Sequence, residues 1–408
     1  MTITLGVLGG SWRADVTAAG AIRGWDGGVS LDWWVAADDR WHDPASEPTV
    51  RQIRLEGTPV VETRVRVPRG DVVQRVYAVA DHGGYTVIEV ENDSPLPIAV
   101  ALSGSPVASQ RPPADMPIEG IDLPDGTVAF PVGHHATVTV AIAHTNGRGS
   151  NLPDGLASSA QVVRGWLTTC ERASRLLLPD LALSTAVIAA RCDLLLSGPA
   201  AGADVPVDFL LGVGELIRMG SAAEPWIPEV SHAVALLAKH ASDPFLTAAL
   251  DAAERACRVA GERRAVRDLA RVRTLLVPEA RVRAESAAGS AHLTAARLIT
   301  ATERAIADGA DLFPAGLPPT WLGQNFEVHG VPTSPRSAVS LAIRWHGARP
   351  AVLWETSGEP VRLRASELAP EWSSDAPSGD TLWPAPPGTT AAGPAAAGPT
   401  VDGSVSFS

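Results

Sequence analysis

The sequence is poor in lysine, and this scarcity bears on the class of its partners. Lys239 is the only lysine in 408 residues, so arginine carries nearly all of the positive charge. That bias indicates a GC-rich coding sequence, as in actinobacteria. The formal net charge is −12 and the pI is about 5.3. Since a nucleic-acid backbone is bound by clustered basic side chains, the composition argues against a nucleic-acid partner.

Cysteine and long apolar runs are also scarce. Cys170, Cys192 and Cys257 lie far apart without a CxxC pair, whereas zinc ligation needs closer spacing or companion histidines. We therefore expect buried free thiols, no metal and no cofactor. No run of about 18 apolar residues exists, so no membrane span is expected. The N-terminus lacks a basic region, so we expect no signal peptide and a cytoplasmic location.

Motifs of the common enzyme classes are missing too. The glycine-rich segment 6–11 does not meet G-x-G-x-x-G, no βαβ unit follows it, and the chain has no P-loop lysine. Neither a G-x-S-x-G elbow nor an H-E-x-x-H pair occurs. The sequence therefore carries none of these usual signatures of nucleotide-binding proteins, hydrolases or metalloproteases. It does not name a reaction.

The sequence does contain a clear change of pattern along its length. Residues 1–146 hold short alternating segments between Gly, Pro and Asp turns, which is typical of an antiparallel β-sandwich. The clearest of these strands are predicted at 60–67, 74–79, 85–92, 98–102 and 136–142. A proline-rich excursion at 105–124 is expected to be a surface loop.

The pattern then becomes helical and finally returns to strands. A linker is predicted at 147–155 and an all-α array at 156–308, with apolar residues at helical spacing. The predicted helices are 182–196, 203–219, 228–241, 244–260, 262–276 and 287–307. A small β-block follows at 311–384, and the Pro/Ala/Gly-rich tail 385–408 is expected to be disordered. The predicted fold class is therefore α+β multidomain.

This order of parts resembles the glucoamylase and glycoside-phosphorylase group, the six-hairpin glycosidases. The segments 70–77 (GDVVQRVY) and 87–92 (VIEVEN) are similar to sandwich strands of that group. The resemblance implies a sandwich in front of a helical toroid and an activity on carbohydrate. A full toroid needs about twice the helices that this middle region can hold, and no motif matches the paired catalytic carboxylates of that group.

The densest local feature is a mixture of tryptophan and aspartate near the N-terminus. Trp33, Trp34 and Trp41 lie close to Asp38 and Asp39, and five tryptophans fall within residues 12–41. Aromatic faces stack on sugar C–H surfaces, and carboxylates accept hydrogen bonds from hydroxyls. We therefore predict a sugar-binding surface here. In a strand Trp33 and Trp34 face opposite sides, so the alternative is that one fills the core.

Glu215 and Glu229 are the candidate catalytic carboxylates of the helical region. A pair of carboxyl groups on either side of a glycosidic bond performs glycoside hydrolysis, one with its pKa raised by burial. Each has a structural alternative. Glu215 is spaced to pair with Arg218 one turn on, and Glu229 is placed to stabilise a helix start through the helix dipole.

A third candidate lies in the C-terminal block. Glu327, the third candidate acid, and His329 alternate, so in a strand they share one face. With Arg344 and Trp345 they predict either a ligand pocket or a hydrogen-bond network. The preferred hypothesis is a protein that binds a glycan or sugar ligand, or a reduced glycoside hydrolase. The alternatives are a non-catalytic scaffold or regulatory protein with a protein partner, and an enzyme acting on small metabolites.

Overall fold

The computed structural model describes residues 2–115, 119–145, 151–202, 204–240, 242–284 and 293–387. Over these residues the chain is a mixed α+β protein with seven α-helices and four largely antiparallel sheets, which confirms the coarse class. The start of the predicted linker, 147–150, and most of the predicted tail, 388–408, lie outside the described residues. None of the described helices is long and apolar enough to span a membrane.

The chain divides into two compact units. The first comprises Met1–Arg172 and Thr185–Ile299, and the second comprises Ala173–Ser184 and Thr300–Ser408. The chain therefore leaves the first unit, contributes a short segment to the second, and returns.

The first 145 residues of the first unit form strands and short turns. The strands are β1 (Ile3–Gly6), β2 (Arg13–Val16), β3 (Ile22–Gly24), β4 (Ser30–Ala36), β5 (Trp41–His42), β6 (Arg51–Arg54), β7 (Val61–Val67), β8 (Gly70–Val79), β9 (Tyr85–Asp93), β10 (Ile98–Gly104), β11 (Ala108–Ser109), β12 (Val128–Val132) and β13 (Thr137–Ala143). The five segments with clear alternation fall on β7, β8, β9, β10 and β13, because a half-buried strand needs that alternation.

Two antiparallel sheets organise these strands. One has the order β1-β2-β3-β4-β10-β12 with β5 paired to β4, and the other has the order β11-β13-β9-β8-β7-β6. One apolar cluster takes residues from both sheets, including Leu31 and Val100 from the first and Val65 and Val76 from the second. Each fully buried side chain of this kind contributes about 1.5–3 kcal/mol.

The seven described helices are α1 (Ser159–Cys170), α2 (Leu181–Ser197), α3 (Pro206–Arg218), α4 (Ile227–Leu236), α5 (Leu246–Val259), α6 (Arg263–Ala284) and α7 (Ala295–Ile306). Of these seven, six overlap segments predicted to be helical, whereas α1 was not predicted. Helix α1 begins with a capping box in which Ser158 and Gln161 each bond the backbone of the other. A second apolar cluster joins the buried faces of α3, α4 and α5.

The second unit is built on two further sheets. Its strands are β14 (Arg175–Leu177), β15 (Ala307–Asp308), β16 (Asp311–Leu312), β17 (Phe326–Ser334), β18 (Ser337–His346), β19 (Arg349–Gly358), β20 (Leu363–Ala365), β21 (Ala369–Ser374) and β22 (Ser378–Leu382). The five-stranded sheet has the order β14-β17-β18-β19-β22, and the four-stranded one has the order β15-β16-β20-β21. Phe313, Trp321, Phe326 and Trp383 pack edge to face in the core of this unit.

Candidate functional site

Glu215 lies in a buried ion-pair network rather than in a cleft. It sits on α3 and is 5% exposed. Its Oε1 accepts from Arg191 Nε at 2.7 Å and its Oε2 accepts from Arg218 Nη1 at 2.7 Å. Burial raises its pKa, but the charges of Arg218 and Arg191 outweigh burial and leave the pKa below its usual value. A carboxylate held ionised by two guanidinium groups has no proton to deliver, so this position does not suit the predicted acid. The ion pair with Arg218, which the sequence spacing predicted as the structural alternative, is present.

Glu229 lies elsewhere in the first unit. It is exposed in the first turn of α4, where a carboxylate interacts favourably with the helix dipole. It lines a depression of about 440 Å³ together with Phe209, Trp226 and His232. Glu215 does not line this depression, so the two carboxylates do not face one bound ligand there.

The aspartates and tryptophans predicted to bind sugar separate into different environments. Trp33 is 3% exposed in the core, where its Nε1 donates to Ala19 O at 2.8 Å. Trp34 alternates with it and faces the other side of β4, as the strand geometry predicted. Trp41 is partly buried, and its Nε1 donates to Glu119 O at 2.9 Å. Trp33 therefore offers no face to a ligand, and Trp41 is bonded to the backbone of the 105–124 excursion.

The acidic turn after β4 is organised around a buried histidine. Asp38 and Asp39 are exposed, and His42 Nε2 lies 3.0 Å from Asp39 Oδ1 while its Nδ1 lies 3.0 Å from Glu47 Oε1. The hydrogen bond with His42 holds the pKa of Asp39 below its usual value. Across the described part of the chain, no group of three or more His, Cys, Asp or Glu side chains is placed to hold a metal ion.

In the second unit the structure does bring predicted residues together. Glu327 and His329 share one face of β17, and Arg344 of the neighbouring β18 bonds Glu327. His329 Nε2 lies 3.5 Å from Glu327 Oε2. The hydrogen bond from Arg344 lowers the pKa of Glu327, so this carboxyl is not poised to act as an acid near neutral pH. Trp345 lies outside the depression over these residues, and its Nε1 donates to Gln324 O at 2.8 Å.

Glu327, His329 and Arg344 lie on one face of the five-stranded sheet, which we call the open face. The register places Leu177, Glu327, Ala342 and Leu353 in one row, and Glu355 lies two residues further along β19. A depression of about 560 Å³ lies over it. Leu177, Leu353 and Leu382 are each 43% exposed, so the open face combines apolar side chains with paired charges.

The loops that connect strands of the first two sheets line another depression. The sequence did not predict that these loops lie together. The β1–β2 loop supplies Ser11 and Trp12, and the β3–β4 turn supplies Trp25 and Asp26. Gly83 and Gly84 of the β8–β9 turn and two residues after β13, His144 and Thr145, complete it. We call this feature of about 500 Å³ the Trp25 depression. Since antiparallel strands end at a common edge, four loops distant in sequence meet there.

Trp25 is the most unusual residue of this depression. It is 55% exposed, and it is the only one of the twelve tryptophans, all of them in the described part of the chain, that is mostly exposed. Its backbone N–H donates to Arg13 O at 3.1 Å, which fixes the turn that carries it. Beside it, Asp26 Oδ1 accepts from Gly28 N at 2.9 Å. An indole face and a carboxylate are thus presented side by side on an ordered turn.

Trp12, His144 and Arg13 form another part of the lining. The rings of Trp12 and His144 stack with centroids 3.6 Å apart and planes 7° from parallel. His144 Nε2 lies 3.0 Å from Thr86 Oγ1, which orients the imidazole. The guanidinium of Arg13 donates to Leu196 O, Gly10 O and Trp12 O at 2.8 Å each, and burial lowers its pKa. Gly84 has a φ of 101°, and a Cβ there would lie 2.5 Å from His144 Nδ1, so the absence of a side chain lets the imidazole pack against this turn.

No protein-family model matches this chain, and a comparison with curated proteins finds no significant relative.

Proposed function

We propose that the chain is a glycan-binding protein and that the Trp25 depression holds the sugar. The exposure of Trp25 carries the proposal, because its exposed indole lies with Asp26 in one depression and so offers a ligand an aromatic face and a hydrogen-bond acceptor together. A pyranose ring presents a C–H face to such an indole and hydroxyls at its edge. Those hydroxyls would bond the carboxylate of Asp26 and the hydroxyls of Ser11 and Thr145.

The same geometry supports binding rather than hydrolysis. Glycoside hydrolysis needs two carboxyl groups on opposite sides of one bond, with one of them protonated at working pH. Of the carboxylates that the sequence offered, Glu215 and Glu327 are each bonded to arginine and have lowered pKa values. Asp26 is the only carboxylate among the residues that line the Trp25 depression.

The proposal extends to the architecture behind the site. We infer that the first two sheets form a sandwich, that the helices form a reduced array, and that the last strands form a separate block. This is the order of parts in the glucoamylase and glycoside-phosphorylase group. The apolar cluster shared by the two sheets supports the sandwich. The kinship with that group and the cytoplasmic location both stay predictions.

Isothermal titration calorimetry with maltose-, cellulose- and xylan-derived hexasaccharides tests the proposal. One exposed indole with a few hydrogen bonds is expected to give a Kd on the order of 1 mM, which corresponds to about −4 kcal/mol. Trp25→Ala removes the stacking face and is expected to raise Kd about tenfold or more. Trp41→Ala is the matched control, because Trp41 lies outside the depression. Equal affinity in wild type and Trp25→Ala would contradict the proposal.

A second candidate function, a protein contact, is favoured by the open face. We propose a second copy of the chain as its partner. The face carries both Arg344 and Glu355 beside exposed Leu353, so it is complementary in charge to itself about a two-fold axis. Light scattering after size exclusion tests this, with Leu353→Glu expected to convert a dimer to a monomer. A monomeric wild type at about 100 μM would remove this candidate.

A further inference from the structure

Two of the three cysteines are in contact, although they are 22 residues apart in sequence. Cys170 is the last residue of α1, and Cys192 lies within α2. Their Sγ atoms are 3.6 Å apart, and both side chains are fully buried. A disulfide bond is about 2.0 Å long, so the sulfur atoms need to approach by only about 1.5 Å to bond. Neither residue lines the Trp25 depression, so the pair is separate from the proposed glycan site.

The two cysteines also lie on either side of the segment by which the chain leaves the first unit and returns to it. Residues 173–184, which lie between the two cysteines, belong to the second compact unit, whereas both cysteines belong to the first. A bond between Cys170 and Cys192 would therefore close the loop through which the chain leaves the first unit and returns to it. A crosslink that closes a loop stabilises a protein mainly by restricting its unfolded chain.

We propose that Cys170 and Cys192 are an oxidative modification site at which a peroxide forms an intramolecular disulfide bond. One thiolate attacks a peroxide oxygen, the O–O bond breaks, and hydroxide leaves. The resulting sulfenic acid is attacked by the second thiolate, the S–S bond forms, and a second hydroxide leaves. The two thiol protons convert the two hydroxides to water, so two thiols are oxidised as one hydrogen peroxide is reduced.

The surroundings of the pair set the rate of this reaction. The hydrogen bond with Cys170 and burial raise the pKa of the Cys192 thiol. The reactive thiolate is therefore scarce near neutral pH, and because both thiols are fully buried, peroxide reaches them only through local opening of the structure. The same burial shields the finished disulfide from reductants, so it is expected to persist once it has formed.

The test uses the full chain with Cys257→Ser, which leaves the pair as the only thiols. The protein is incubated with hydrogen peroxide, denatured in N-ethylmaleimide and analysed by mass spectrometry. We expect both thiols to disappear together, with the loss of two hydrogen masses and a peptide that links Cys170 to Cys192. The oxidised protein should melt about 5–10 °C higher, and reduction by dithiothreitol in denaturant, followed by refolding, should remove the shift.

Cys192→Ser in the same background is the control, and it should be oxidised only at Cys170 without gaining thermal stability. The comparison of reduced and oxidised protein does not depend on that variant folding. Two alkylated thiols after prolonged peroxide treatment, or crosslinks formed only between molecules, would overturn the proposal.

Discussion

Replacement of Glu215 by glutamine should destabilise the first unit strongly. The carboxylate lies between Arg191 and Arg218, and the Glu215→Gln change preserves its shape while removing its charge. The two guanidinium groups then face each other without the anion that neutralised them, in a site where Arg191 is fully buried. Breaking a buried ion pair from one side costs about 3–5 kcal/mol, and we expect a loss in this range at pH 7.

The effect should depend on pH in a defined direction. The folded state lowers the pKa of Glu215 below its ordinary value of 4.5, so the ionised carboxylate stabilises the fold at all pH values above about 4.5. That contribution is lost as the pH falls through the lower pKa of the folded state. The difference in stability between wild type and Glu215→Gln should therefore be constant from pH 7 to about 5 and should shrink below about 4.5.

Urea denaturation followed by circular dichroism measures both effects. Asp32→Asn is the control, since its partner Arg23 is 45% exposed and such surface pairs contribute only about 0–1 kcal/mol. A Glu215→Gln variant that loses less than about 1 kcal/mol, or whose deficit does not change below pH 4.5, would refute the structural role assigned to this carboxylate.

Two further variants probe backbone and side-chain geometry. Gly57 has a φ of 78°, and a Cβ there would lie 2.5 Å from Thr185 O. Gly57→Ala should therefore lower the free energy of unfolding, measured by urea denaturation, by more than about 1 kcal/mol. An unchanged urea midpoint would contradict this. Arg297 donates through its fork to both Asp208 and Asp243, with Nη2 at 2.8 Å and 2.6 Å from their Oδ2 atoms, and lysine cannot reproduce both contacts. Arg297→Lys should lower stability by roughly 2 kcal/mol, and a neutral result would show that charge alone is sufficient.

Much of the secondary structure could be predicted from the sequence, because the buried side of a strand or helix makes apolar residues recur at a regular spacing. Strand β13 begins with alternating polar and apolar residues, Thr137-Val138-Thr139-Val140, and α2 and α5 begin and end within two residues of the predicted segments. Helix α1 was not singled out, because only Val163, Trp166 and Cys170 of its twelve residues are buried. The short strand β14 was missed as well. It is held by pairing with β17, a contact between residues about 150 positions apart that no local pattern reveals.

The candidate sites were harder to predict from the sequence, because they depend on which distant segments meet in the fold. The strand period correctly placed Glu327 and His329 on one face, because that relation is local. The Trp25 depression depends on four loops that meet at one edge, a relation set by sheet order rather than by spacing. Tryptophan density in the sequence did not single out Trp25, since composition does not distinguish the buried Trp33 from the exposed Trp25.

The most direct test of the glycan site is a nuclear magnetic resonance titration of the indole N–H signals. The signal of Trp25 is assigned as the one lost in Trp25→Phe, and the protein is then titrated with the hexasaccharides to about 10 mM, roughly ten times the expected Kd. We predict a saturable shift of the Trp25 signal with one of the sugars, while the buried Trp33 and Trp383 signals do not move. No shift of the Trp25 signal with any of the sugars, or equal shifts of all three, would contradict the account.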